Sequence, residues 1–263
     1  MAHKLYPNQV LENKITDLLN TKVNARALAT IDTSLVENAG MKKAVNKYSY
    51  NGEVESLAKG IGNSTAGTVS YTSVDYTVEV LQQKFRYQSE DIMTDPMILD
   101  AGMEGSATVM VNDLNDRVFA EFAKATNKSE RAKDEPLNYD AVVDGIASMN
   151  IEDEAGLFLV IGTDKKAELR KDPDFKGARL GEILFNGQIG SIAGVPVVVS
   201  KLINAKEAIL ATKDAVTIFF KKDSEVEQER DADTRTNDVF LRRVAVVALT
   251  NEAAIVKLTQ KAV

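Results

Sequence analysis

Residues 95–126 read DPMILDAGMEGSATVMVNDLNDRVFAEFAKAT and predict one long helix. Asp95 offers a side-chain acceptor to the first turn, and Pro96 has the backbone angle that suits a first helical position. Apolar residues then recur every three or four positions, which is typical of one buried helical face. They are Met103, Ala107, Met110, Leu114, Val118 and Phe122. At about 1.5 Å per residue the helix would be roughly 45 Å long, although Gly102 and Gly105 are expected to kink or fray its first turns. This length favours a spine along which sheets and loops are arranged.

The composition of the 263-residue chain indicates an ordinary folded protein with few means of catalysis. A hydrophobic fraction of 44% and a charged fraction of 27% favour one large domain or two small ones with a real core. The absence of cysteine excludes disulfides and thiolate metal sites. The one histidine, His3, leaves no Ser-His-Asp relay and no histidine-based metal site. No apolar run approaches the roughly 18 residues that span a bilayer. We therefore expect no cofactor, no bound metal and no membrane contact.

The region 51–90 has the pattern of a long hairpin. Glycines mark turns at its start, at positions 52, 60, 62 and 67. Apolar and polar residues then alternate over 74–80, which is the period of a half-buried strand. Tyr71 continues this alternation backwards but one position out of phase, which predicts a bulge near Ser73. We expect two strands within 51–88 that are joined by a polar, glycine-rich tip and stabilised by a neighbour, since an isolated hairpin is marginal in water.

A second compact region follows the long helix. Residues 156–162, GLFLVIG, predict a buried central strand. Residues 195–199, VPVVV, predict another strand after a tight turn at Ala193-Gly194. Two more short strands are expected at 208–211 and 216–220, and two or three strands in the tail. Because helices and strands segregate along the chain instead of alternating as βαβ units, the predicted fold class is α+β.

Two groups of residues are candidates for contacts between subunits. Tyr71, Tyr76 and Phe85 are aromatic residues of the predicted hairpin, and aromatic side chains are enriched at protein interfaces. The second group interleaves both signs of charge in the tail and consists of Arg230, Asp231, Asp233, Arg235, Asp238, Arg242 and Arg243. Two interpretations of it stay open. It is either a solvated turn between strands or a polar contact surface on which opposite charges fix the register of two subunits.

Two short segments and the order of the predicted elements indicate a family. Residues 190–200, GSIAGVPVVVS, form a turn and a strand, and residues 227–231, EQERD, precede a strand that ends near Leu249. With this order, the chain resembles the major capsid protein of tailed bacteriophages, which has the Hong Kong 97-type fold. The resemblance implies an N-terminal arm at 1–50, an extended loop at 51–90, a peripheral domain with the spine helix at 91–136, an axial domain at 137–222 and strands returning to the peripheral domain at 223–263.

The resemblance implies a structural, non-enzymatic subunit. Such a subunit self-assembles as pentamers and hexamers into an icosahedral head shell, and encloses phage DNA without sequence-specific binding. A net charge of −7 fits this role, because an acidic wall repels phosphate. The implied partners are further copies of the chain, a portal and decoration proteins. The resemblance also implies either a separate scaffolding protein or a sequence numbered as the mature chain. The implied location is the virion, after assembly in the cytoplasm of the bacterial host. Some members cross-link their subunits through a lysine and an asparagine. Lys59 and Lys84 lie in the loop region and are interface candidates, but no motif assigns a cross-link to either of them.

Three alternatives share parts of this pattern. An encapsulin-type nanocompartment would keep the fold and enclose an enzyme in place of DNA. A phage tail protein or another surface structural protein would also be a repetitive subunit. A carboxylate-based enzyme could use Asp91 and Asp100, although helix capping explains such carboxylates more simply. Particles in the electron microscope would separate shell proteins from an enzyme, and their contents would separate a capsid from a nanocompartment.

Overall fold

A computed structural model describes residues 25–132, 135–152, 154–172, 190–201, 203 and 207–261. The helices of this part of the chain are α1 (Ser89–Thr94), α2 (Met97–Ala123), α3 (Tyr139–Met149) and α4 (Thr163–Lys171). Its strands are β1 (Thr30–Asp32), β2 (Lys42–Asn51), β3 (Thr68–Thr77), β4 (Glu79–Gln88), β5 (Lys128–Arg131), β6 (Leu157–Ile161), β7 (Ser191–Ile192), β8 (Val195–Val199), β9 (Ala208–Thr212), β10 (Val216–Asp231), β11 (Thr236–Leu249) and β12 (Ile255–Gln260). Helices and sheets are mixed and most strand pairs are antiparallel, which agrees with the predicted α+β class. The expected segregation does not hold throughout, since α3 and α4 alternate with β5, β6 and β8, and β6 pairs in parallel with β8.

The predicted long helix is α2, and it is continuous over 27 residues, or about 40 Å. All six residues of the predicted apolar stripe are buried. Asp95 Oδ1 accepts a hydrogen bond from the Met97 amide at 2.9 Å, as predicted for an acceptor beside the first turn, but Pro96 is the N-cap residue and the helix begins one position later than predicted, at Met97. The helix also continues through Gly102, where the ring of Phe85 lies against the backbone; a Cβ there would come within 2.6 Å of that ring. The predicted interruption at Gly102 was therefore wrong, because this glycine permits a close approach of β4.

Two larger sheets surround α2. One has four strands in the order β1-β10-β11-β4, and the other has six in the order β5-β12-β9-β6-β8-β7. All five residues of β6 are buried in the interior of the six-stranded sheet, which confirms the predicted central strand. The C-terminal strands after residue 223 are divided between the two sheets, since β11 lies in the four-stranded sheet and β12 in the six-stranded sheet. β12 is placed there because Ile255, Val256 and Leu258 are buried between neighbouring strands.

The predicted short strand at 216–220 was too short. β10 continues for 16 residues to Asp231, and it stays paired with β11 across register shifts between Phe220 and Glu225. Its second half carries mostly charged residues. The apolar run that predicted the strand therefore ends before the pairing with β11 ends. Pairing with β11, the next strand of the same hairpin, and not the composition of the segment itself, holds it extended.

The C-terminal half of α2 joins the two sheets. Its residue Phe122 is fully buried, and its ring lies 6.0 Å from that of Phe119 and 6.1 Å from that of Phe158 in β6. The same cluster contains Phe220 and Val247 from the four-stranded sheet. The two sheets therefore share one core, with the helix between them.

The hairpin consists of β2 and β3, which pair from Lys42 with Thr77 to Asn51 with Thr68. The prediction of two strands within 51–88 was wrong, because the first strand lies before Gly52 and β4 pairs with β11 instead. The register is unbroken at Ser73, so the predicted bulge is absent. The change of phase has another cause. The apolar side chains move from one face of the hairpin to the other along its length, as described below.

The turn between β7 and β8 has the geometry that the sequence predicts. Ile192 is opposite Val195, and the two residues between them, Ala193 and Gly194, have positive φ angles of 49° and 81°. Two central residues with positive φ are typical of a tight turn that follows the twist of the strands. The predicted tight turn at Ala193-Gly194 is confirmed, and Gly194 has the left-handed backbone that favours glycine.

Gly194→Val should lower the free energy of unfolding by about 1–3 kcal/mol, because a β-branched residue is strained at positive φ. No atom lies within 4 Å of a Cβ built at Gly194, so the loss would come from the backbone and not from a clash. Urea denaturation measures it. Gly190→Val is the matched control, since Gly190 has no positive φ. Equal stability of the two variants would contradict the strain argument.

Candidate intersubunit surfaces

The β2–β3 hairpin forms a sheet of its own and leaves most of its side chains exposed. One face of its distal end carries four large apolar side chains, each between 65% and 71% exposed: Tyr48, Tyr50, Val69 and Tyr71. Tyr48 is opposite Tyr71 with 6.2 Å between the ring centroids, and Tyr50 is opposite Val69. We call these four residues the aromatic patch. Such a cluster on a protruding element is typical of an interaction site.

Two glycines make room for the outermost ring of the aromatic patch. A Cβ built at Gly52 or at Gly67 would come within 2.3 Å of the Tyr50 hydroxyl. The ring of Tyr50 therefore lies across the two points at which the chain leaves β2 and enters β3. Two of the glycines that the sequence marks as turn residues have this second role.

The end of the hairpin near Lys42 and Thr77, its base, packs on its own subunit. It does so through the face opposite to the aromatic patch. Val45 is opposite Val74, and Val45 is buried in a cluster that includes Val78, Phe219 and Ala248. The candidate Tyr76 packs against the same cluster. The apolar side chains thus lie on the inner face near the base and on the outer face near the tip. This switch explains the change of phase in the sequence.

The loop 52–67 is organised by one carboxylate. Glu55 accepts hydrogen bonds from the amides of Ser64 and Thr65 at 2.8 and 2.7 Å, and also from both hydroxyl groups. These bonds, above all that from the Thr65 hydroxyl, lower the pKa of Glu55 to about 2. The candidate Lys59 is exposed in the same loop. The four bonds tie the two sides of the loop together without a hydrophobic core.

Glu55→Gln should loosen this loop and leave the rest of the fold unchanged. The folded pKa of Glu55 lies below its ordinary value of 4.5, so its contribution is complete above about pH 4.5 and is lost as the pH falls through about 2. Amide hydrogen exchange of Ser64 and Thr65 at neutral pH measures the effect, and we expect it to be faster in the variant. Glu53→Gln, which changes an exposed carboxylate of the same loop, is the control. Unchanged exchange in Glu55→Gln would contradict this role.

The charged candidates are mostly paired within the chain. Arg86 donates two hydrogen bonds to Asp238 at 2.6 and 2.8 Å, and Lys84 lies 2.5 Å from the same carboxylate. These contacts, led by those from Arg86, hold the pKa of Asp238 well below its ordinary range. Arg242 pairs with Glu225, and Arg235 lies 2.8 Å from Glu90. Arg230 and Asp231 are exposed at the end of β10, just before the polar turn to β11. The contact interpretation of this group stays a prediction.

Two further candidates lie inside their own chain. Arg243 is only 1% exposed, and its Nε donates to the Asp223 carbonyl at 2.8 Å. Burial lowers the pKa of its guanidinium. Phe85 packs on the α2 cluster. Both residues were predicted to contact another subunit because of their residue type. In the structure, the contacts described here are with residues of their own subunit. Tyr48 and Tyr50 were missed, although their spacing of two before Gly52 was a signal of a strand.

The described residues offer little for catalysis. Asp91 Oδ2 accepts from the Gln88 amide at 3.0 Å, and Asp95 caps α2, so these carboxylates serve as helix caps. In the part of the chain that the structure describes, no group of three or more histidine or carboxylate side chains could hold a metal ion. Among the same residues, no helix has the length and apolar character needed to cross a membrane.

Solved structures define the fold class. The capsid of cyanophage P-SCSP1u superposes with a TM-score of 0.70 at 11% sequence identity, covering 90% of this chain and 87% of that one. The mature capsid of bacteriophage PhiM1 gives a TM-score of 0.69 at 11% identity, covering 92% and 88%. A virus-like particle from Pyrococcus furiosus gives 0.65 at 15% identity, covering 97% and 100%. The described fold is the Hong Kong 97-type fold of shell proteins, as predicted.

Sequence comparison gives the family. Residues 70–258 match the model of the phage capsid protein family, and the chain belongs to that family. The major capsid protein of Staphylococcus phage phiMR11 is 24% identical over 261 residues, which cover 96% of this chain and 92% of that protein. The resemblance to a phage capsid protein is confirmed.

Proposed function

We propose that this chain is the major capsid protein of a tailed phage and closes into an icosahedral shell of pentamers and hexamers around DNA. The subunit is structural and carries no catalytic site. The single observation that carries the proposal is the aromatic patch. Its members are at least 65% exposed on an arm whose own subunit covers only the opposite face of the base. In a shell built from many copies of this chain, a second copy would cover the aromatic patch.

Each structural unit has a place in this proposal. The hairpin with its loop is the extended loop that lies over a neighbouring subunit. The helix α2 and the four-stranded sheet form the peripheral domain. The six-stranded sheet with α3 and α4 forms the axial domain, which gathers around the five-fold and six-fold positions. The shared core around Phe122 holds the last two units together.

The proposal extends to cargo and partners. A net charge of −7 suits a wall that repels phosphate and leaves packaged DNA mobile. A separate scaffolding protein, a portal and decoration proteins are the further partners. Assembly takes place in the cytoplasm of the bacterial host, and the finished shell belongs to the virion.

Electron microscopy of the purified protein tests the proposal. We expect closed particles, or rings of five and six subunits, together with a matching mass in solution. Nuclease-protected DNA in particles from infected cells would distinguish a capsid from an encapsulin-type compartment, which would hold protein instead. A stable monomer at high concentration in all salts, with and without a scaffolding protein, would contradict the proposal.

A further inference from the structure

The four-stranded sheet has two open edges. β1 pairs with β10 only at Thr217–Phe219, so among the described residues the second half of β10 has a strand partner on one side alone. On the other side of the sheet, β4 is the last strand. Over this length β4, β11 and β10 form a three-stranded unit that ends at the turn after Asp231, and we call it the tongue. An open edge presents unpaired backbone groups to any strand that approaches it.

Alternate residues of the tongue face away from α2. Tyr87, Val226, Val239 and Leu241 point inward and pack with the helix. The residues between them point outward and form three rows across the strands, because the register is continuous here. From β4 to β11 to β10 these rows are Gln82, Arg242 and Glu225; Lys84, Phe240 and Glu227; and Arg86, Asp238 and Glu229. The charges are therefore sorted, with basic residues on the β4 edge and acidic residues on the β10 edge.

Pairing within the chain does not neutralise the two edges. Lys84 and Arg86 share the single carboxylate of Asp238, which leaves an excess of positive charge on the β4 edge. On the β10 edge, Glu225 is paired with both Lys222 and Arg242. Glu227 is 62% exposed in its side chain and lies 4.0 Å from Arg242, at the limit of an ion pair. Glu229 is exposed beside it.

We propose that the basic β4 edge of one copy contacts the acidic β10 edge of a second copy. Two β4 edges would repel each other, as would two β10 edges, so the charge order disfavours a two-fold contact. A head-to-tail contact remains, and such contacts close into rings when the rotation permits. This inference rests on the proposed shell function and names the partner surface of the tongue. Contact of this kind also covers two edges that would otherwise invite uncontrolled strand pairing.

Reversing the charge of one edge tests the proposal. Glu227→Lys with Glu229→Lys makes both edges basic, and we expect the protein concentration needed for half-assembly to rise by about tenfold or more. Adding Gln82→Glu and Lys84→Glu in the same chain exchanges the sign of the two edges. This exchanged chain should assemble near the concentration of the parent, and a merely structural role would not produce such a rescue. Light scattering and electron microscopy measure assembly, and circular dichroism checks that each variant folds.

The control is Asp144→Lys with Glu154→Lys, which gives the same change in net charge on exposed residues outside the tongue. It should assemble like the parent. Equal impairment of the control and the edge variant would overturn the proposal, as would unchanged assembly of Glu227→Lys/Glu229→Lys. If the parent itself forms no particles under any condition, the shell function fails. If the parent assembles and the edge variant matches it, only the edge contact fails.

Discussion

A chain shortened from Gly60 to Gly67 should fold like the parent and fail to build stable shells. The cores that hold the subunit together lie around α2 and the two larger sheets, and this loop contributes to none of them. The loop has too little buried apolar surface to be ordered by its own subunit alone. Obligate assemblies commonly bury more than roughly 2,000 Å² per interface, and a long arm supplies area that a compact surface lacks. Circular dichroism beside electron microscopy measures both expectations.

A substitution in the aromatic patch separates loss of contact from loss of loop length. Tyr48→Ser with Tyr71→Ser removes two rings that are 70% and 69% exposed, so the fold should keep its stability. Truncated tyrosines at interface centres commonly cost about 2 kcal/mol or more of binding free energy. Ser49→Ala with Ser70→Ala, a pair on the opposite face of the same hairpin, is the control.

For the chain shortened from Gly60 to Gly67, two outcomes would contradict the expectation. Unfolding of this chain would mean that the loop belongs to the core of its own subunit. If the shortened chain formed particles as stable as those of the parent, the loop would not be part of the contact between subunits.

Phe122→Ala should lower the free energy of unfolding by about 3–5 kcal/mol. The ring is fully buried where α2 meets both sheets, and its two aromatic neighbours come from the helix and from β6. Removing it leaves a cavity that three packed elements must close together, so relaxation is limited.

Urea denaturation measures this loss. Val109→Ala on the same helix is the control, since Val109 is 53% exposed and should change stability by about 0.5 kcal/mol or less. A loss below about 1 kcal/mol for Phe122→Ala would mean that the sheets do not depend on a shared core. Two separate unfolding transitions in the parent would mean the same.

Features with a local cause could be predicted from the sequence. The helix α2 follows from a stripe of apolar residues at helical spacing, and β6 from a short run that is apolar on both faces. The turn at Gly194 follows from the backbone that a glycine before Val195-Pro196 permits. In each case the residues that specify the structure lie within a few positions of one another.

Features that depend on a distant partner could not be predicted. β2 exposes both faces along most of its length, so no buried face marked it as a strand or set its register. The same limit applied to the candidate site. Residue type identified Tyr71 as suited to contact, but the same criterion selected Phe85, which packs on its own helix.

Because its apolar side chains change face along the hairpin, natural selection acts differently on the two ends. Near the base it acts on folding, and near the tip it would act on contact between copies. A change at Val45 is tested by the folding of a single chain, and a repair can arise anywhere in the cluster around Phe219. Under the proposed shell function, a change at Tyr48 or Tyr71 would be tested by contact with another copy of the same chain. Every such mutation therefore appears at all equivalent contacts of a shell at once, and so does its compensation. Lineages should drift gradually at the base of the hairpin and in coordinated steps near its tip.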